Sequence, residues 1–383
     1  MVSAFSFPTL IRFGAGASAE LPDHLRRLGV KRPLLVTDEG LAKTPIFERL
    51  KDALARADIP FSLFDRVRPN PEPAQIEAAA AVYRGEACDG IVGFGGGSGL
   101  DAAKAVRIAA THDGSILEYG AGGSRELERP LPPLVAIPTT AGTGSEVGRS
   151  TVVTDPARRA KRVIFHPRLL ADVALCDPDL TQSLPPPIAA ATGMDALSHA
   201  IESYCSTEFH PLCDAVALGG VRLIARALKR AVHQGREDAE ARADMMMAAL
   251  MGGIAFQKDL GATHSLAHPL STLADVPHGT ANGLLLWRVM RFNAAAATTR
   301  LADIAHALGV PPAREPRDQA DAAWREVEHL AGAIGIPRRL RDVGVTPDLL
   351  EPLARAALED SCHRTNPRPC TYEDLLALYR EAF

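Results

Sequence analysis

The sequence has no C-x-x-C pair, no extended run of lysine and arginine, and no uninterrupted apolar stretch of 18 residues. Each absence removes a class of protein. Six cysteines (Cys88, Cys176, Cys205, Cys213, Cys362 and Cys370) are scattered through 383 residues. That pattern reads as reduced cytosolic thiols, not a disulfide framework or a zinc ribbon. Forty-two basic side chains against 46 acidic ones leave −4, and without a basic patch no nucleic-acid or anionic-membrane partner is expected. Glycine, proline or charge interrupts every apolar run too early to cross a bilayer. The opening segment, residues 1–8, lacks the basic and apolar regions of a signal peptide. The expected location is cytoplasmic.

What is present is an ordinary globular mixture, 46% hydrophobic and 23% charged. The length predicts two or three domains. Strands are predicted at 33–37, 59–64, 89–94 and 134–138, with helical patterns at 40–56, 73–86 and 98–111 between them. Such alternation means β-α-β units and a parallel sheet covered on both faces. Segments 162–165 and 173–176 are expected to be further strands closing this half. Beyond Pro185-Pro186-Pro187 the strand signal ends. Helical patterns follow at 188–205, 211–233, 238–257, 281–295, 298–308, 319–334, 347–358 and 371–382, with a loop over 311–318. The expected domains are 1–182, α/β, and 183–383, all-helical.

Gly95-Gly96-Gly97-Ser98 follows a strand and opens a helix. Glycines allow close approach of a pyrophosphate, and the first helical amides point at the anion. Asp101 and Lys104 lie in the first turns of that helix; Lys104 could equally be a solvated lysine. A second segment, Pro138-Thr139-Thr140-Ala141-Gly142-Thr143-Gly144-Ser145-Glu146, suits phosphate and ribose contacts or a plain turn and helix cap. Gly14-Ala15-Gly16-Ala17-Ser18-Ala19 matches G-x-G-x-x-A, but the strong strand comes after it, so it reads as a loop leading into a helix. Asp38 ends that strand. Its carboxylate can accept from a ribose 2′-hydroxyl and would repel a 2′-phosphate, or it can cap the next helix.

Asp195 and His199 are four apart and share a helix face among apolar neighbours. His264, His268 and His278 follow in a second apolar setting. A carboxylate with several imidazoles suits Fe²⁺ or Zn²⁺, although a lone histidine on an apolar face is usually a satisfied core residue.

These motifs, with Thr192-Gly193-Met194-Asp195, Pro277-His278-Gly279 and Asn366-Pro367-Arg368, resemble the iron-containing (group III) alcohol dehydrogenases, the group of lactaldehyde reductase and the iron-activated ethanol dehydrogenase. The resemblance spans essentially the whole chain. It implies the dehydroquinate synthase-like fold: an α/β nucleotide-binding domain followed by an all-α metal domain. It implies Asp195, His199, His264 and His278 as metal ligands and His268 as a histidine beside the nicotinamide, a candidate proton relay. It also places Asp38, Asn70, Gly97, Ser98, Thr139, Thr140, Thr143 and Lys161 on dinucleotide-contacting positions, and Gly96 and Asp101 are likewise expected to bind the cofactor.

The implied reaction is hydride transfer between a primary alcohol and NAD⁺, reversible to aldehyde reduction, with Fe²⁺ or, as substitute, Zn²⁺. A small alcohol or aldehyde is the expected partner and a homodimer the expected assembly. Three other readings stay in view. A dehydroquinate-synthase-like lyase needs a basic cluster for a phosphorylated substrate, which the sequence does not display. A glycerol-dehydrogenase-like zinc enzyme is disfavoured by the histidine four after the aspartate. A non-catalytic NAD(H) sensor would turn nothing over.

Overall fold

Short apolar runs bounded by turn residues, with helix-length segments between them, favour parallel crossover units over hairpins. The computed structural model describes residues 5, 7, 9–120 and 123–383. Its strands are β1 (Leu10–Phe13), β2 (Pro33–Asp38), β3 (Ser62–Val67), β4 (Gly90–Gly95), β5 (Leu134–Pro138), β6 (Ser150–Asp155), β7 (Ala160–Phe165) and β8 (Val173–Cys176). Six form one sheet in the order β1-β8-β5-β4-β2-β3, with every pairing parallel. β6 and β7 form a separate antiparallel pair.

The helices of this half are α1 (Leu21–Arg27), α2 (Glu39–Ala42), α3 (Pro45–Arg56), α4 (Pro73–Gly85) and α5 (Gly97–Thr111). Strands β4, β5 and β8 are buried along their whole length, as a sheet covered on both faces requires. Alternate residues serve opposite cores. Leu35, Val92 and Val135 pack with Phe47 and Leu54 of α3, while Leu34, Val36, Ile91 and Ala136 pack with Leu100 and Val106 of α5. The chain therefore leaves the adjacent ends of β2 and β4 toward opposite faces. That is a topological switch point, where open α/β sheets bind ligands.

Two expectations for this half are corrected. The strand predicted at 59–64 runs from Ser62 to Val67, because Pro60 has no N–H to give the ladder. Segment 162–165 does not close the main sheet but pairs with β6. Edge strand β1 is short and largely exposed, so it carries little apolar signal.

The second half consists of α6 (Pro186–Cys205), α7 (Pro211–Gln234), α8 (Ala239–Ala255), α9 (Ala262–Leu273), α10 (His278–Asn293), α11 (Thr298–Ala307), α12 (Pro316–Ala333), α13 (Leu350–Glu359) and α14 (Tyr372–Ala382). Pro186 and Pro187 are the first residues of α6, a place where the missing N–H costs nothing. α9 has no counterpart among the predicted helices because Pro269 lies inside it, and an interior proline normally ends the pattern. The fold class is the expected one, an α/β half followed by an all-helical half.

By packing, 6–140 and 145–181 form one unit. Residues 182–383, with Phe5 and 141–144, form the other. The 141–144 crossing is tight on the helical side. A Cβ on Gly142 would stand 2.7 Å from the Thr192 side chain, and one on Gly144 (φ +63°) 2.6 Å from the Ala249 carbonyl. Among the described residues, no helix is long and apolar enough to cross a membrane.

Candidate metal centre and nucleotide loop

Helix α6 presents Asp195, His199 and Glu202 at i, i+4 and i+7, one face of a 3.6-residue period, and all three are buried. Helix α9 brings His264 and His268 to one face, again four apart. His278 is the first residue of α10, and Asn282 lies one turn further. These helices converge on one atom. Asp195 Oδ1 is 4.0 Å from His199 Nε2, 3.7 Å from His264 Nε2 and 3.4 Å from His278 Nε2. Four side chains from three helices thus meet where the sequence reading grouped them.

The electrostatics match that convergence. Burial works to raise the Asp195 carboxyl, but the surrounding imidazoles hold it well below the usual carboxylate range. Burial pulls His199 down to about 4 against the opposing charge of Asp195. Burial also opposes charge on His264, yet the Asp195 and Glu202 carboxylates outweigh it, and that imidazole is pushed up to about 9.

A divalent ion fits this donor set. Donors sharing one shell at metal distances of about 2.0–2.2 Å stand roughly 3–3.5 Å apart, close to the spacing seen around Asp195 Oδ1. His264 Nδ1 is already committed, 2.6 Å from Glu202 Oε2, which leaves Nε2 for an ion. Asn282 Nδ2 reaches Asp195 Oδ1 at 2.7 Å.

His268 stands at the edge of this group, its ring stacked on His278 with centroids 5.3 Å apart. Its Nδ1 is 2.7 Å from Asp360 Oδ2. Asp360 Oδ1 accepts from Ser265 Oγ and the Cys362 amide, each at 2.8 Å. Burial works to raise the Asp360 carboxyl, but His268 and these donors hold it well below its ordinary range. Glu202, Asn282 and Asp360 carried no role in the sequence reading. Two had a legible signal: Glu202 continues the Asp195–His199 stripe, and Asn282 follows His278 by four. Asp360 had none.

At the other candidate site, no side chain caps α5, whose N-cap is Gly96. The amides of Gly97 and Ser98 open the helix, as anion binding needs. Space is tight locally: a Cβ on Gly96 would come 3.2 Å from Thr140 Oγ1, and one on Gly93 2.8 Å from the Ala103 side chain. Thr139 is buried and its amide donates to the Gly95 carbonyl. Asp38 accepts from the Leu41 amide at 2.9 Å, capping α2. Asn70 adopts φ +54°. Lys161 lies on β7, paired in register with Thr154, and its charge reaches Asp101.

Asp101 points inward. Its carboxylate accepts from Ser145 Oγ at 2.6 Å and the Val152 amide at 3.1 Å. Lys104 is not the solvated lysine it could have been. Its ammonium is fully buried and donates to Ser145 Oγ and to the Gly148 and Ser150 carbonyls. Burial pulls Lys104 down to about 8 against Asp101 and Glu146. The G-x-G-x-x-A look-alike is a loop entering a short helical turn, and its Gly16 and Ser18 amides bind Asp177.

Residues 8–178 match the family model described as iron-containing alcohol dehydrogenase, and 189–383 match that of the C-terminal part of the Fe-containing alcohol dehydrogenase family. The chain belongs to the iron-containing alcohol dehydrogenase family. It is 40% identical to 4-hydroxybutyrate dehydrogenase of Cupriavidus necator over 96% of each chain. It is 36% identical to lactaldehyde reductase of Escherichia coli K12 over 97% of each. A crystal structure of 1,3-propanediol oxidoreductase superposes with a TM-score of 0.96, at 41% identity and 100% coverage of both chains.

The fold is accordingly dehydroquinate synthase-like. Like its family, this alcohol dehydrogenase is an NAD-linked, metal-dependent oxidoreductase that interconverts alcohols and aldehydes. The lyase and glycerol-dehydrogenase-like readings give way to it.

Proposed function

We propose that this alcohol dehydrogenase oxidises small primary alcohols with NAD⁺, reversibly, at Fe²⁺ held by Asp195, His199, His264 and His278. The observation that carries this reading is the convergence of three imidazole nitrogens on Asp195 Oδ1. A bound divalent ion supplies Lewis acidity that stabilises negative charge on the alcohol oxygen. Zn²⁺ is the expected substitute, since neither the ligand types nor their number exclude it.

Nucleotide binding is assigned to residues 1–182 and metal binding and catalysis to 183–383. The uncapped amides of Gly97 and Ser98, after Gly96, hold the pyrophosphate. Asn70, Thr139, Thr140, Thr143 and Lys161 contact the remainder of the dinucleotide. Asp38 accepts from the ribose 2′-hydroxyl and so selects NAD(H). Asp101 acts from behind, fixing segment 145–152 to α5. His268 takes the alcohol proton at Nε2, because Nδ1 is oriented by Asp360.

The names of the relatives, dehydrogenases of 4-hydroxybutyrate and 1,3-propanediol, support a short primary alcohol. The free thiols of all six cysteines support a reducing compartment, the cytoplasm. Exposed Leu10 and Phe13 on edge strand β1 support a homodimer. The test is turnover of ethanol, 1-propanol, 1,2-propanediol and 1,3-propanediol by anaerobically Fe²⁺-loaded protein with NAD⁺. Equal activity after chelation would defeat the metal-dependent reading. Iron-loaded protein no faster than zinc-loaded protein would defeat the choice of Fe²⁺.

A further inference from the structure

Glu202 is buried beside the ligand set without belonging to it, and its carboxylate is occupied on both oxygens. Oε1 accepts from the Thr263 amide at 2.6 Å. Oε2 lies 2.6 Å from His264 Nδ1 and 3.3 Å from the His264 amide. The donors are the first amides of α9, which no side chain of its own caps. Glu202 therefore caps α9 from α6 and holds the ring of that helix's first histidine. The chain makes room for it: a Cβ on Gly261 would stand 2.8 Å from Glu202 Oε1.

We propose that Glu202 is the positioning residue of the metal centre, fixing His264 in the tautomer that carries its proton on Nδ1 and turns the Nε2 lone pair to the ion. The role rests on the ligand assignment of Asp195, His199, His264 and His278. The physical reason is complementarity. The carboxylate offers acceptors only, so the nitrogen facing it must be the donor. A bound ion then takes the other nitrogen, which faces Asp195, in place of a proton. Carboxylates behind metal-bound imidazoles orient the ring and raise its basicity, and their loss typically costs 10–100-fold in metal affinity.

A glutamine at 202 has nearly the same size but one acceptor and one donor. If its oxygen keeps the Thr263 amide, its NH₂ meets Nδ1. His264 must then accept there and place its proton on Nε2, toward the ion. If the amide is turned over, two N–H groups confront each other at Thr263. Glu202→Gln cannot satisfy both partners, whereas Glu202→Ala leaves the tautomer free.

The experiment measures Zn²⁺ affinity of the full chain by competition with a chromophoric chelator, with circular dichroism as the fold control. Both variants should bind about 10–100-fold more weakly than wild type, with Gln at least as damaging as Ala. Gln within about twofold of wild type, or clearly better than Ala, would reduce Glu202 to a space-filling and helix-capping residue. A wild-type chain that holds no Zn²⁺ overturns the ligand assignment and this role with it. If neither variant folds, ¹⁵N-histidine spectra of Zn²⁺-loaded wild type decide. A protonated, slowly exchanging Nδ1 on His264 supports the role, and a protonated Nε2 overturns it.

Discussion

Asn282 Nδ2 stands 2.7 Å from Asp195 Oδ1, with His278 Nε2 and His264 Nε2 at 3.2 and 3.3 Å. An amide NH₂ donating to the buried Asp195 carboxylate takes up some of the charge that an ion would otherwise neutralise. Removing it should matter most to the metal-free chain. Asn282→Leu is expected to lower metal-free stability by about 1–3 kcal/mol, the cost of a lost hydrogen bond to a buried charged group. The loss should shrink when Zn²⁺ takes over the carboxylate. Calorimetric melting with and without Zn²⁺ checks this; an equal loss in both states would detach Asn282 from the ligand set.

His199→Ala and His264→Ala each remove one donor from a four-residue set. Each should weaken metal binding by more than about 100-fold, beyond the cost of disturbing an outer partner. Both should abolish turnover while the ellipticity of the α/β half persists. Full metal occupancy in purified variants, read by elemental analysis, would refute the ligand assignment.

Asp38, proposed to select the cofactor, also caps α2 through the Leu41 amide. A 2′-phosphate at about 4 Å meets roughly 1–4 kcal/mol of repulsion between high and intermediate dielectric. That amounts to about fivefold to nearly a thousandfold in favour of NAD⁺. Asp38→Asn keeps an equally good cap and removes the charge, whereas Asp38→Gly removes both. If the charge selects the cofactor, kcat/KM ratios for NAD⁺ and NADP⁺ narrow in both variants. An unchanged ratio in Asp38→Asn would leave Asp38 as a helix cap alone.

Glu146 is buried, and burial pushes its carboxyl from 4.5 up to about 7 despite Lys104. The folded value lies above the unfolded one. Its contribution is therefore fully present below about 4.5 and is lost as pH rises through about 7. Wild-type stability should fall across that window by about 2–3 kcal/mol on this account, and Glu146→Gln should flatten the slope. Urea unfolding at pH 5 and pH 8 checks it; a variant with the wild-type slope would assign the fall to other groups.

The order of α/β and all-helical halves was legible in the chain because periodicity is local. Strand cores such as Leu34–Val36 and Ile91–Phe94, and the i, i+4 pair Asp195–His199, announce themselves within one or two turns. The glycine run before α5 was legible for the same reason, since a strand, a turn and a helix are read from neighbouring residues. Where local signals mislead, a distant partner decides. Pro269 suggests a break, yet α9 continues through it with Glu202 and Asn366 capping its first turn.

Segment 162–165 reads as a strand, but only pairing with 150–155 shows that it lies outside the main sheet. Lys104 looks solvated until Gly148 and Ser150 are seen around its ammonium. The sequence alone thus determined which residues could be ligands, from their chemistry and spacing on single helices. Tertiary structure decided how those helices are rotated and which acceptors face which rings. Glu202 meets His264 across 62 residues and Asp360 meets His268 across 92. Such pairings depend on how α6, α9 and the segment after α13 pack, and no local period encodes that.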